Sequence, residues 1–596
     1  MKRLIRAAAS LPLLALAVPA LAQTSAPATA SGEPVNRIVV FGDSLADGGY
    51  FLTLDPRIPR DAGSFTTNPD PVAPEVMAAR LGLDLRPVYG QGGTNYAIGG
   101  ARVTAPNGPS LSITTQINNF IASGGTFGPR DLVYIQGGGN DFFAFQAAGS
   151  TNNATLTTAA TQLAAQVARV QAAGASRIVT LAVQTGGNAG LVLFNQTFAA
   201  ALASSNVNAL YFDTDRLFNE IVANASSFGI AVTTTGVACT VPSSLNCNRS
   251  TLVTPNANET YLLADSVHPA GITQRIQGQA LASLVKAPEQ IAGLGYAAQT
   301  TFRAQRDLFE APMRGVAHNG RRVVLFGNAG YRYYDSGNSA QRVGIVERGF
   351  AGVLGADLAI GERSGIGIVG GYSDGKGDFT GAGDYRVKAW SASGYGRLGV
   401  GPFRLLVDGT YGEIDYNRIR RTVVLGPTTR EQRGTTDGDY VAGRATVAVD
   451  LFTDGAVGIG PDLSIGYDRI TLDGYTEAAP TSTSAAFGRQ RIESLTGRAG
   501  IVARALPESS VGFFARASYE REFDDDPRTI TIRPTGAPIS FTTGVERADR
   551  DYMSYALGVD GRLFGGPLGV RAGVSGQTMR DDRDSVTGFA GLSLAF

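Results

Sequence analysis

The chain has 596 residues, which is too long for one ordinary domain. Its 51 basic and 51 acidic residues cancel, so no nucleic-acid partner is indicated. The chain contains only two cysteines, Cys239 and Cys247, and two histidines, His268 and His318, which argues against a metal site built from such ligands.

The first 22 residues have the pattern of a secretory signal peptide. Three basic residues come first, and an apolar segment over residues 11–18 is too short to span a bilayer. An A-x-A cleavage site follows at residues 20–22. We therefore expect an exported protein, with a membrane anchor as the alternative. Residues 23–34 are small and polar and are predicted to be disordered.

Apolar runs alternate with helical patterns up to about residue 284. The runs lie at 38–41, 132–135, 178–183 and 209–212, and residues 155–173 have helical spacing. This alternation predicts an α/β domain with a parallel sheet and helices on both faces.

Cys239 and Cys247 lie in one polar loop with seven residues between them. In an exported protein they are expected to form a disulfide, and closing so short a loop contributes roughly 2–3 kcal/mol. Residues 272–313 then have a helical pattern without a wide apolar face, interrupted by Pro288 and Gly293. They are interpreted as a connector with polar surroundings.

Beyond Arg321 the sequence changes to alternating, glycine- and aromatic-rich segments of the length that a tilted membrane strand needs. Short and long connections alternate between them, which is typical of an outer-membrane barrel; a soluble all-β repeat domain is the alternative. The twelve predicted strands are 322–334, 346–361, 365–377, 385–399, 403–417, 439–453, 455–471, 492–505, 511–523, 552–564, 567–577 and 587–596.

The odd-numbered connections of this barrel are predicted to be long and to face the exterior. This follows if a helix crosses the barrel from outside, so that strand one starts at the periplasmic end. The predicted exterior loops are 335–345, 378–384, 418–438, 472–491, 524–551 and 578–586.

Four stretches carry chemically useful residues in a fixed order. They are Gly42-Asp43-Ser44-Leu45, residues 93–101 with Gly99-Gly100, residues 137–141 with Asn140, and Asp265-Ser266-Val267-His268. Ser44 and Asn140 each follow the carboxyl end of a predicted strand, where ligands bind in open α/β sheets.

Together these residues meet the requirements of nucleophilic catalysis. A serine hydroxyl needs an adjacent base, which His268 can supply, and Asp265 can orient the imidazole. The Ser44 N–H, a glycine N–H at Gly100 or Gly99, and the Asn140 amide can serve as oxyanion donors. Each residue also has a structural alternative: a helix cap for Ser44, a turn residue for Asn140 and the glycines, and a structural histidine. The second glycine of G-x-S-x-G is absent, so an α/β-hydrolase elbow is not indicated.

These four blocks resemble the GDSL (SGNH) lipase/esterase family, here in a form carried by an autotransporter. The resemblance extends to Asp47 and Gly48, whereas Gly49-Tyr50 stands where Gly-Asn is commoner. It implies Ser44, Asp265 and His268 as the triad, and Ser44, Gly100 and Asn140 as the oxyanion hole. It also implies a three-layer α/β, flavodoxin-like catalytic domain and a helix threading a twelve-stranded barrel.

The resulting domain assignment is a signal peptide at 1–22, the esterase domain at 23–284, a linker helix at 285–320 and the barrel at 321–596. We expect a cofactor-free hydrolase of esters or lipids in the outer membrane, exposed at the cell surface. The family resemblance also implies insertion by the barrel-assembly machinery. The alternatives are a non-catalytic adhesin or, among enzymes, a glycan deacetylase or lysophospholipase.

Overall fold

The computed structural model describes residues 32–315, 322–451, 457–505, 511–524, 526–563, 566–580 and 583–596. The predicted signal peptide, most of the predicted disordered segment and His318 lie outside these ranges.

The N-terminal domain is built on a parallel sheet whose strands follow in the order β1-β2-β3-β4. An additional segment pairs with β1 on its free side, where Asn95 bridges Val40. The segment at Asn95 is therefore outermost, followed by β1, β2, β3 and β4, and this spatial order agrees with the flavodoxin-like prediction. The strands are β1 (Arg37–Phe41), β2 (Asp131–Ile135), β3 (Ile178–Leu181) and β4 (Leu210–Phe212).

Helices cover both faces of this sheet, so the predicted three-layer α/β architecture is confirmed. Ile38 and Val40 pack in one core with Met77, whereas Val39 and Phe41 pack in a second core on the opposite face. The helices are α1 (Ala73–Arg80), α2 (Ile113–Ala122), α3 (Gly139–Ala147), α4 (Ala154–Ala172), α5 (Ala189–Ser204), α6 (Thr214–Ala223) and α7 (Ala257–Thr260).

A single long helix, α8 (Gly271–Gly315), connects the two domains. It continues through Pro288 and Gly293, where an interruption was predicted, and the boundary proposed after residue 284 therefore falls inside it. The helix survives the proline because its neighbours Ala287 and Ile291 are fully buried, so tertiary packing offsets the lost backbone hydrogen bond. Within the described ranges, no helix combines the length and the apolarity that a membrane span requires.

The C-terminal domain is a closed barrel of twelve antiparallel strands, as predicted. The barrel strands are β5 (Val323–Ser336), β6 (Ile345–Ala359), β7 (Gly365–Phe379), β8 (Gly383–Val400), β9 (Phe403–Leu425), β10 (Thr428–Val449), β11 (Val457–Leu472), β14 (Gln490–Ala505), β15 (Val511–Glu522), β18 (Asp551–Arg562), β19 (Leu568–Thr578) and β20 (Arg583–Ala595).

The outer face of the barrel is apolar and the lumen holds α8. Leu354 and Ile368 are 75% and 70% exposed, as expected for side chains in contact with lipid. Inside, Phe302 of α8 stacks on Tyr440 with ring centroids 4.2 Å apart. Deeper in the lumen, Glu310 of α8 pairs with Arg498 at 2.7 Å. The predicted connector is thus the helix that threads the barrel.

The prediction of an exterior loop over 418–438 is wrong. Strand β9 continues to Leu425 and β10 begins at Thr428, so the connection is a two-residue turn at 426–427. The 378–384 loop shrinks in the same way to residues 380–382. Outside a membrane both faces of a strand can be polar, and charge in this segment therefore did not mark the end of the strand.

The two longest exterior connections form a small sheet of their own, which was not predicted. Its strands pair antiparallel in the order β12-β13-β16-β17, two from each connection. They are β12 (Tyr475–Thr476), β13 (Ala485–Phe487), β16 (Thr529–Pro534) and β17 (Phe541–Gly544).

The N-terminal domain rests on these exterior connections. Glu220 accepts hydrogen bonds from the Ser482 N–H at 2.7 Å and from its hydroxyl at 2.6 Å. Asn208 exchanges two hydrogen bonds with the Thr542 backbone, at 2.8 and 2.7 Å. The Gln341 side chain bonds to the backbone of Val35. The N-terminal domain therefore lies on the side of the odd connections.

Candidate active site

Ser44 lies in the turn that follows β1, and the turn is held by a buried glutamine. The Gln116 side chain accepts a hydrogen bond from the Gly42 N–H and donates one to the Gly42 carbonyl, both at 2.9 Å. Gln116 is fully buried on the apolar face of α2. The sequence analysis did not identify it, although a glutamine at a core position of an amphipathic helix is a usable signal.

The structure brings Ser44, His268 and Asp265 into one hydrogen-bonded row. His268 Nε2 lies 2.8 Å from Ser44 Oγ. Its Nδ1 lies 2.8 and 2.9 Å from the two carboxylate oxygens of Asp265. Ser44 is only 7% exposed and the His268 side chain 14%, so the row is shielded but reachable.

Asp265 is surrounded by donors that favour its ionised form. It accepts hydrogen bonds from the backbone N–H groups of Ser244 at 2.7 Å and of Val267 and His268 at 2.9 Å each. Burial by itself would raise the pKa of Asp265, but the hydrogen bond and charge of His268, together with Ser244, outweigh it and hold that pKa below its ordinary value. An ionised Asp265 can fix the imidazole with Nδ1 protonated.

Ser244 reaches Asp265 from the loop between the two cysteines, which form a disulfide in the structure. The Asn68 amide donates to the carbonyl oxygens of Ser244 at 3.1 Å and Cys247 at 2.9 Å, so the loop is held on a second side. The sequence analysis missed Ser244 because a backbone donor leaves no signature in its side chain.

Gly99 and Gly100 lie in a loop that is bonded to the turn after Ser44, and Asn140 bonds to the same loop at Ala101. The Gly99 N–H donates to Asp47 Oδ2 at 2.7 Å and is therefore occupied. The Gly100 N–H contacts no acceptor within the described ranges, and its φ of +80° suits glycine. Asn140 donates one amide hydrogen to the Ala101 carbonyl at 3.1 Å.

A second carboxyl group, that of Asp43, belongs to the residue directly before Ser44. It is 2% exposed and accepts hydrogen bonds from the Leu45 N–H at 3.0 Å and from the Gln136 amide. Burial raises the pKa of Asp43 to about 7, against the lowering effect of these donors. Within the described ranges, Asp43 makes no hydrogen bond to Ser44 Oγ or to the imidazole, although the charge of His268 lowers its pKa, and its hydrogen bonds point to a role in the turn itself.

Aromatic side chains form one wall of the site. The Phe65 ring lies 4.9 Å from the His268 ring, centroid to centroid, and 6.3 Å from Phe51. A Cβ atom on Gly99 would lie 2.2 Å from the Phe65 ring, so only glycine leaves room for this wall. The wall comes from the segment at 50–70, which lies between the turn of Ser44 and α1.

Comparisons with known proteins agree with the division into two domains. Residues 38–281 match the family model described as GDSL-like Lipase/Acylhydrolase, and residues 324–593 match that of the autotransporter beta-domain. Among solved structures, the translocator domain of autotransporter NalP from Neisseria meningitidis is similar, with 17% identity, a TM-score of 0.41, and coverage of 50% of this chain and 97% of that one.

Two curated relatives are similar over nearly the whole length. Esterase EstA of Pseudomonas aeruginosa is 28% identical over 648 residues, covering 97% of this chain and 98% of that protein. Lipase 1 of Photorhabdus luminescens is 23% identical over 635 residues, covering 91% and 93%. Each of the two domains therefore matches one family model, the N-terminal domain that of the GDSL-like lipase/acylhydrolases and the C-terminal domain that of the autotransporter beta-domain.

Proposed function

We propose that the chain is a serine esterase of the outer membrane, with its catalytic domain displayed at the cell surface. The observation that carries the proposal is the row Ser44–His268–Asp265, with contacts of 2.8 Å on both sides of the imidazole. Relatives named as an esterase and a lipase support the same class of reaction.

The proposed reaction is hydrolysis of a carboxylic ester through an acyl-enzyme. Ser44 Oγ attacks the carbonyl carbon while His268 Nε2 takes the hydroxyl proton. The tetrahedral oxyanion then collapses, the C–O bond breaks, and His268 returns the proton to the leaving alcohol. Water next attacks the acyl carbon with His268 as the base, which releases the acid and restores Ser44.

We propose the N–H groups of Ser44 and Gly100 and the Asn140 amide as the oxyanion donors. Gly100 is preferred over Gly99 because the Gly99 N–H already donates to Asp47 at 2.7 Å. Donors that are fixed before the charge develops stabilise the transition state more than the substrate.

The aromatic wall favours an acyl group as the part of the substrate next to His268. Phe65 is 9% exposed and sits beside the imidazole, so an apolar chain placed there would lose contact with water. We therefore propose lipid-like or simple acyl esters as substrates. The glycan deacetylase, lysophospholipase and adhesin alternatives are separated by an activity profile over ester chain lengths on intact cells.

We also propose the domain limits given above, with residues 1–22 removed on export, 23–284 as the esterase, 285–320 as the linker and 321–596 as the barrel. The barrel-assembly machinery is the proposed insertion partner, since every strand of a membrane barrel must be paired in lipid.

The test of the proposed function is Ser44→Ala, measured by hydrolysis of a chromogenic short-chain ester on intact cells. We expect activity to be abolished while surface display, measured with an antibody, is unchanged. Ser266→Ala is the matched control, because Ser266 is an exposed serine beside Asp265 and should keep wild-type activity. Hydrolysis near the wild-type rate by a well-displayed Ser44→Ala protein would reject the assignment.

A further inference from the structure

The loop that carries Ser44 and the loop that carries Gly100 are joined by two side chains, one from each loop. Asp47, three residues after Ser44, reaches across to the Gly99 N–H at 2.7 Å. Asn95, on the second loop, reaches back and donates to the Ala46 carbonyl at 2.8 Å. We call this reciprocal pair the Asp47–Asn95 bracket.

Both carboxylate oxygens of Asp47 accept hydrogen bonds from backbone N–H groups. It is fully buried, and its other oxygen, Oδ1, accepts from the Gly49 N–H at 2.9 Å and the Tyr50 N–H at 2.7 Å. All three of its partners are N–H donors, so the carboxylate form satisfies every contact and an amide could not. Burial raises the pKa of Asp47 to about 6, which leaves it ionised at neutral pH.

The Asn95 side chain is also buried and hydrogen-bonded at both of its polar atoms. It is 1% exposed, and its Oδ1 accepts from the Ala97 N–H at 3.0 Å while its Nδ2 reaches Ala46. The amide is thus used at both ends, once to shape its own loop and once to hold the other loop.

The two carbonyl oxygens of the glycine pair accept hydrogen bonds from other side chains. The Ser110 hydroxyl donates to the Gly99 carbonyl, and the Asn107 amide donates to the Gly100 carbonyl at 2.9 Å. Neither of these contacts reaches the loop of Ser44. Among the hydrogen bonds made by Gly99 and Gly100 themselves, the one that Asp47 accepts is therefore the contact that ties the pair to the loop of Ser44, beside the backbone bond from the Ile98 N–H to the Gly42 carbonyl at 3.1 Å.

We propose that Asp47 and Asn95 are positioning residues that set the spacing between Ser44 and the Gly100 N–H. The inference rests on the proposed function, because it takes these two groups as nucleophile and oxyanion donor. Displacing a transition-state donor by about 1 Å can cost about 100-fold in rate. Ground-state binding of the ester does not depend on that donor, so the bracket should affect kcat and leave KM unchanged.

The test uses the full-length protein in detergent and three variants. Asp47→Asn places an NH₂ group or a weaker acceptor before the Gly99 N–H. Asn95→Asp replaces the donor to Ala46 with an acceptor. Asp213→Asn is the matched control, because Asp213 is a carboxylate of the same domain that caps α6 by accepting from the Arg216 N–H at 3.0 Å and is far from both loops in sequence.

We expect Asp47→Asn and Asn95→Asp each to lower kcat by about 10- to 100-fold with KM changed by less than about twofold, since only the transition-state donor is displaced. The rate of labelling by a fluorophosphonate, which builds a similar oxyanion, should fall in parallel. Asp213→Asn should keep the wild-type kcat even where its melting temperature falls as far as that of the bracket variants.

The outcomes separate this inference from the proposed function. Peptide mapping of the labelled wild type tests Ser44 by itself: label elsewhere rejects the proposed function. With label on Ser44, a wild-type kcat in Asp47→Asn rejects the bracket, as does a loss of kcat that follows thermal stability in all three variants. If Asp47→Asn does not fold, Asn95→Asp decides by the same criteria. If neither folds, the two side chains serve stability rather than spacing, and the inference is rejected.

Discussion

Asn140 has two amide hydrogens, and the structure uses one of them for the Ala101 carbonyl at 3.1 Å. That contact orients the side chain at the first turn of α3, close behind β2. The second hydrogen is then available for an oxyanion, which is the role proposed above. A donor that is already fixed costs no reorganisation during the reaction.

Replacement of Asn140 by alanine is expected to lower kcat by about 100-fold or more, as loss of an oxyanion donor does elsewhere. Steady-state kinetics on a soluble chromogenic ester measures it. Gln146→Ala is the control, because Gln146 is exposed on the same helix and the change leaves α3 intact. An increase in KM with unchanged kcat would show that Asn140 binds substrate instead.

The raised pKa of Asp43 predicts that the stability of the N-terminal domain depends on pH. Its pKa is raised to about 7 by burial in the folded protein, against an ordinary value of 3.8. Between these values the folded state binds the proton and the unfolded chain does not, so the free energy of unfolding falls as the pH rises from about 4 to about 7. A shift of this size corresponds to at most about 4 kcal/mol.

We expect the wild type to lose thermal stability between pH 5 and pH 8, the upper value being about one unit above the raised pKa of Asp43. Asp43→Asn should lose less stability over the same range. Calorimetry of the full-length protein in detergent at both pH values measures it. Asp84→Asn, at a carboxylate that is 69% exposed, should leave the wild-type dependence unchanged. The same pH dependence in Asp43→Asn and the wild type would contradict the assignment.

At the scale of elements, the disulfide loop supports the Ser44–His268–Asp265 row from outside the sheet. The loop from Cys239 to Cys247 supplies the Ser244 N–H that bonds to Asp265 at 2.7 Å. Loss of the cross-link would let this donor move, while the Val267 and His268 N–H groups would still hold the carboxylate. The loop therefore stabilises the site without being indispensable to it.

We expect the double variant Cys239→Ser, Cys247→Ser to lose about 2–3 kcal/mol of stability, the usual contribution of a short cross-linked loop. Activity should fall in part, and more steeply on warming than in the wild type. Mass spectrometry of the unreduced protein should find the two cysteines in one linked peptide. Two alkylatable thiols in untreated protein would show that the bond does not form in cells.

At the scale of the whole molecule, the chain is an outer-membrane protein whose catalytic domain sits on the exterior connections of its own barrel. Contacts from Gln341, Ser482 and Thr542 come from three different odd-numbered connections. Because adjacent connections face opposite sides of the membrane, the even-numbered turns face the periplasm.

Two glycine turns provide a matched pair for testing this orientation. Gly381 lies in an odd connection and Gly401 in an even one, and both are exposed with positive φ, 69° and 56°. We expect an epitope inserted at Gly381 to bind antibody on intact cells, and the same epitope at Gly401 to bind only after the outer membrane is opened. Labelling at Gly401 on intact cells would reverse the assigned orientation.

The sequence alone determined the features that depend on local pattern. Alternation over ten or more residues predicted all twelve barrel strands, which the structure confirms. The order of four short blocks predicted Ser44, His268 and Asp265 as one catalytic group; the structure brings their side chains together, and their catalytic role stays a prediction. The prediction of a loop over 418–438 was wrong because polar residues no longer mark the end of a strand once a hairpin extends beyond the membrane. Strands β9 and β10 form such a hairpin.

Only the tertiary structure decided which backbone groups are free and which are already used. Gly99 and Gly100 are indistinguishable in sequence, and the choice follows from Asp47, 52 residues earlier, which occupies the Gly99 N–H. Helix α8 continues through Pro288 because side chains distant in sequence pack against both of its flanks. In each case the deciding contact joins groups far apart in the chain, and its free energy depends on a geometry that no local pattern records.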